Sequence, residues 1–109
     1  MRVVAFIPDL LFGSNVQGAL TAAGHDVELV GALEPGVDAD VLVVDLTAEA
    51  RVRIEQVRAA RAEDVPVLAF YAHVETEVKA LAQDAGFALV VPRSRMAREG
   101  ATLVERLSA

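Results

Sequence analysis

Five short apolar runs, each bounded by turn-forming or polar residues, constrain this chain more than anything else in it. Val3–Ile7 stops at Pro8-Asp9, Val41–Val44 at Asp45, Val67–Tyr71 at His73, and Ala88–Val91 at Pro92-Arg93. A weaker run, Val27–Val30, follows the turn signal Gly24-His25-Asp26. The runs are valine-rich and do not alternate with polar residues, the pattern of strands in a parallel sheet covered on both faces. Stretches of helical period lie between them. Ser14 and Gln17 stand at capping-box spacing, Val16, Leu20 and Ala23 recur at helical intervals, and Gly24 takes the C-terminal position. Ile54 and Val57 predict a helix over about 48–62, whose Arg51, Arg53, Glu55, Arg58 and Arg61 are assigned to solvated faces. Val78, Leu81, Ala82 and Ala85 give a third stripe ended by Gly86, and Ala97, Ala101, Val104 and Leu107 mark a last helix. The segment 31–40, with Pro35 and Gly36, reads as a loop or a single turn.

Strict alternation of strand and helix requires right-handed crossovers and a sheet sandwiched between helices. The expected fold is therefore α/β: a flavodoxin-like, doubly wound, five-stranded parallel sheet of order 2-1-3-4-5 in a three-layer α/β/α arrangement. One domain over 1–109 accounts for the whole sequence. Its expected core includes Val4, Phe6, Leu42, Val44, Leu68, Phe70 and Leu89.

Composition narrows the function. Sixteen acids against ten bases give a net charge of −6, opposite to what a nucleic-acid backbone requires. With no cysteine and two histidines, thiolate chemistry is excluded and a histidine-built metal site is not expected. No apolar run approaches membrane-spanning length, so no membrane partner and a cytoplasmic location are expected. Neither the phosphate-loop nor the dinucleotide fingerprint occurs, no cofactor is expected, and no enzymatic activity is assigned.

In an open parallel sheet the ligand crevice lies beyond the carboxyl ends of the strands. Here that rim holds Asp9, Asp45, Thr47, Tyr71, His73, Arg93 and Ser94. Three segments resemble the receiver domain of bacterial response regulators: Ala39-Asp40-Val41-Leu42-Val43-Val44-Asp45, Val65-Pro66-Val67-Leu68-Ala69-Phe70-Tyr71-Ala72 and Ala85-Gly86-Phe87-Ala88-Leu89-Val90-Val91-Pro92. The resemblance makes Asp45 the equivalent of the phosphoacceptor. It also exposes three departures. The family's pair of acids after the first strand, which holds Mg²⁺, is reduced to Asp9. Its hydroxyl residue at the end of the fourth strand is Tyr71, and its lysine before the last proline is Val91.

The resemblance therefore implies a stand-alone pseudo-receiver, a signalling or adaptor domain that contacts an unidentified protein without being phosphorylated. A homodimer through the family's face of fourth helix, fifth strand and fifth helix is the expected association. Two alternatives stay open: a phosphorylatable single-domain response regulator with Asp45 as acceptor, and a small-molecule or anion-binding module at the rim using Tyr71, His73, Arg93 and Ser94. Plainer roles also stand beside these. Asp45 can solvate a strand end or cap a helix, Asp9 can shape a turn, and His73 can flank the helix near Glu75. Arg93, the cation that follows the last strand, is expected to contact Asp45 or Asp9.

Overall fold

A computed structural model describes residues 1–61, 64–72 and 75–107. Strands β1 (Arg2–Phe6), β2 (Asp26–Val30), β3 (Val41–Asp45), β4 (Val67–Tyr71) and β5 (Leu89–Pro92) form one sheet. Its order is β2-β1-β3-β4-β5, and every neighbouring pair is parallel. Helices α1 (Leu10–Ala22), α2 (Ala50–Ala60), α3 (Thr76–Asp84) and α4 (Arg93–Leu107) provide the crossovers and the closing layer.

The period of two in a strand divides the apolar residues between two cores. Val3, Ala5, Val41, Val43, Leu68 and Phe70 point to one face, where Phe12, Val16 and Leu20 of α1 and Met96, Leu103 and Val104 of α4 cover them. Val4, Phe6, Leu42, Val44, Val67 and Ala69 point to the other, under Ile54 and Val57 of α2 and Val78 and Ala82 of α3. Every residue of β3 and β4 is buried. This explains why these runs could not alternate: neither face meets water.

Segment 31–40 contains no helix, as its proline and glycine imply. The chain instead crosses from β2 to β3 as a loop tied down by Arg2. The Arg2 backbone N–H donates to an Asp40 carboxylate oxygen (2.8 Å), and its guanidinium donates to the Asp38 carbonyl (3.0 Å) and to Glu28 (2.9 Å). The helices that the resemblance numbers fourth and fifth are consequently α3 and α4 here.

Four expectations need correction. The first helix begins at Leu10, not at Ser14: the Asp9 carboxylate accepts the Phe12 N–H (3.1 Å), so the cap lies five residues earlier and Ser14 is an exposed residue inside the helix. Gly13 then sits close enough to β2 that an added Cβ would meet Leu29 at 3.0 Å and the Ile7 carbonyl at 3.2 Å. The last helix starts at Arg93, directly after β5, because Met96 buries in its first turn and anchors it. Leu89 is half-buried rather than core, since β5 is an edge strand. Finally, the second helix spans Ala50–Ala60, shorter than 48–62.

Phe70 is 1% exposed and packs its ring 5.1 Å from that of Phe12. Truncating it leaves a void under both α1 and α4. Phe70→Ala is expected to lower stability by about 3–5 kcal/mol in denaturant unfolding, whereas a loss below about 1 kcal/mol would mean that the cavity refills.

Candidate functional site

Asp45 is the single buried charged residue among those described, 2% exposed at the end of β3. A carboxylate removed from water needs both hydrogen bonds and a counter-charge, and the loop that follows supplies them. Oδ1 accepts from the Thr47 N–H (2.8 Å) and from the Thr47 hydroxyl (2.5 Å), the self-bonding turn that aspartate favours. The counter-charge comes from α2. Arg53 Nη1 lies 3.5 Å from Asp45 Oδ2 and donates to the Asp45 carbonyl (3.0 Å), with its side chain only 12% exposed.

Local backbone geometry makes that return possible. Glu49 adopts the left-handed conformation (φ 48°, ψ 42°), alone in this among the non-glycine residues described, and reverses the chain into α2. Its carbonyl accepts the Arg53 N–H (3.0 Å), so the first turn of the helix lifts Arg53 back over the strand end. Reading Arg53 as a solvated residue is thus corrected. The signal was present in the spacing: Arg53 lies four residues before buried Val57 and beside buried Ile54, on the inward stripe. Arg61 departs from the same reading, donating to the Val65 carbonyl (3.2 Å) and lying over the Phe87 ring at 5.5 Å.

The other rim residues are distributed differently from the expectation. Asp9 serves as the N-cap of α1 and sits 3.8 Å from Arg93 Nη2, both side chains nearly half exposed. Arg93 therefore meets Asp9, while Asp45 is met by Arg53. The Arg93 guanidinium also lies 4.3 Å over the Phe12 ring, which in turn packs on Phe70. Tyr71 is buried in the α2/α3 core and does not line the rim cavity. That cavity, of about 360 Å³, is bordered by Phe12, Ala72, Arg93, Ser94 and Ala97. His73 lies outside the described residues.

The sheet register shows what this rim can do chemically. Asp45, Phe70 and Val91 occupy one row across β3, β4 and β5. The strand position where a cation would face the aspartate is a valine, 2% exposed. Asp45 is engaged by Arg53 and Thr47, and Asp9 by its helix and Arg93. Among the described residues no group of three acid or histidine side chains could hold a metal ion. The geometry places an internal cation, Arg53, beside the buried carboxylate.

No family model and no curated protein matches this sequence. Solved structures do. A response regulator from Thermotoga maritima superimposes with a TM-score of 0.77 at 15% identity, covering 98% of this chain and 96% of its own. An orphan response regulator of H. pylori gives 0.77 at 13% identity, over 100% and 97%. An atypical orphan response regulator, described as having a phosphorylation-independent regulatory mechanism, gives 0.69 at 16% identity, over 99% and 95%. The fold is that of a response-regulator receiver domain.

The two arginines should separate cleanly on mutation. Arg53→Ala leaves a buried carboxylate without its cation and is expected to destabilise by about 1–3 kcal/mol in denaturant unfolding. Arg93→Ala, at a half-exposed pair, should cost below about 1 kcal/mol. Arg53→Met combined with Asp45→Asn should recover most of the first loss, since the orphaned charge is removed with its partner.

Proposed function

We propose that this chain is a pseudo-receiver: a signalling domain with the receiver fold that works through protein contacts and is not switched by phosphorylation. The observation that carries this reading is the Asp45–Arg53–Thr47 cluster. Arg53 stands 3.5 Å from the carboxylate that would have to attack a phosphoryl donor, and Thr47 holds one of its oxygens with two hydrogen bonds. Those bonds lower the nucleophilicity of that oxygen and fix its direction. Asp9, the acid after β1, already gives Oδ1 to the cap of α1 and turns Oδ2 toward Arg93.

Receiver domains are signalling modules, and the resemblance to an orphan regulator that acts without phosphorylation supports the same mode here. Output would pass through α3, β5 and α4, the elements corresponding to the face by which the family forms dimers and transmits signals. The rim cavity beside Arg93 and Ser94 supports a second, weaker reading as an anion-binding module. Its one cation already serves Asp9 and Phe12.

The test is intact mass after incubation with acetyl phosphate and Mg²⁺. The expected spectrum is unchanged. A gain of one phosphoryl group that vanishes in Asp45→Asn would replace this reading with a phosphorylatable response regulator.

A further inference from the structure

Strand β2 carries acids on one face and apolar residues on the other. Asp26, Glu28 and Val30 stand in register with Arg2, Val4 and Phe6 of β1, so they belong to the face that α2 and α3 cover elsewhere. Asp26 and Glu28 are nevertheless exposed. On the other face Val27 and Leu29 pack, half-buried, against the core under α1. The difference follows from the crossover after β2. The other three crossovers are helices, whereas β2 reaches β3 through the loop 31–40. A cleft of about 370 Å³ remains between that loop and the sheet, bordered by Arg2, Glu28, Glu34 and Asp38 among others.

β2 is also a margin of the sheet, and its bonds to β1 show which backbone groups it has already used. The Asp26 N–H donates to the Met1 carbonyl (2.9 Å), and the Val30 carbonyl accepts from the Ile7 N–H (3.2 Å). Residues 26, 28 and 30 therefore turn their backbone groups toward β1, and Val27 and Leu29 turn theirs outward. Among the described residues one hydrogen bond reaches that outer side, from Gln17 Nε2 to the Val27 carbonyl (3.4 Å). The Val27 N–H and both polar groups of Leu29 are left to face outward at strand spacing. The surrounding charge is of one sign: residues 1–50 hold Arg2 as their single Lys or Arg against eight Asp and Glu. An open strand edge and an acidic field coincide at β2.

We propose that the outer edge of β2 accepts an extended, basic segment of another protein as an additional strand. Main-chain hydrogen bonds to Val27 and Leu29 supply the pairing, and side chains on alternate positions supply the selection. Those that join the Asp26 and Glu28 face must be Lys or Arg to match the acids beside them. The one beside Glu28 reaches the cleft where Glu34 and Asp38 also stand. Those between must be apolar, since they continue the surface of Val27 and Leu29. Charge thus selects this occupant, and β2 itself, bearing Asp26 and Glu28, is the wrong strand for its own edge. A basic helix or a small cation would match the acids but leave the outward backbone groups unpaired. This margin lies at the far end of the sheet from β5. The contact is therefore separate from the face of α3, β5 and α4 and independent of whether Asp45 is phosphorylated.

The probe is a short synthetic peptide of alternating valine and lysine, titrated into the intact protein and followed by residue-resolved amide hydrogen exchange. It should bind with a Kd below about 1 mM and slow exchange at Val27 and Leu29, leaving the amides of β5 unchanged. Replacing its lysines with glutamates, or methylating its backbone nitrogens, should weaken binding at least about tenfold. Glu28→Lys should do the same, with the unfolding midpoint measured alongside because Glu28 also pairs with Arg2. Glu34→Lys, at an exposed loop residue, should weaken binding without that cost to the fold. The proposal is overturned by no binding below that Kd, by equal affinity for the glutamate peptide, by undiminished affinity after methylation, or by protection that falls outside β2.

Discussion

Burial of the central strands on both faces is the constraint from which the rest of this molecule follows. A strand such as β3, with all five residues buried, can carry a polar group only at its end. There the sheet's edge row meets the loops, and whatever a loop provides must satisfy that group. Asp45 takes this position, and its needs dictate the path of the next eight residues: a tight turn through Thr47, a left-handed Glu49, and a helix that returns Arg53 to the carboxylate. The local chain is organised around neutralising one charge.

That arrangement separates fold from mechanism. Here the positive charge arrives with the fold. The Arg93–Phe12–Phe70 stack adds a second cation and two rings at the same rim, so Phe70, the strand neighbour of Asp45, is packed against side chains of this chain.

The sheet was legible in the sequence because its cause is local: valine-rich runs of four or five residues admit few alternatives to buried parallel strands, and the loop at 31–40 announced itself through Pro35 and Gly36. Helix starts were less legible. Asp9 and Ser14 are both good caps, and tertiary packing at Gly13 and Phe12 decided between them in favour of Asp9. The site was partly legible. Asp45 stood out at the end of its run, yet its partner was assigned by nearness to the rim in sequence, which pointed to Arg93. The true partner, Arg53, belongs to a helix rich in arginine, where one inward cation among several outward ones is visible only when the residues are placed on the stripe with Ile54 and Val57.

The tie between Arg2 and the acids around it bears on how the open sheet avoids growing. An edge strand offers unpaired backbone groups to any passing chain. At one margin, β2 sets Asp26 and Glu28 facing outward from its pleat, both exposed, with Arg2 drawn to them from within. A second copy adding its β2 alongside would bring four carboxylates together. At the other margin, β5 is only four residues long and α4 begins directly after Pro92, so a further strand finds little edge to pair with. The two margins are thus guarded differently, one by acidic side chains and one by its shortness.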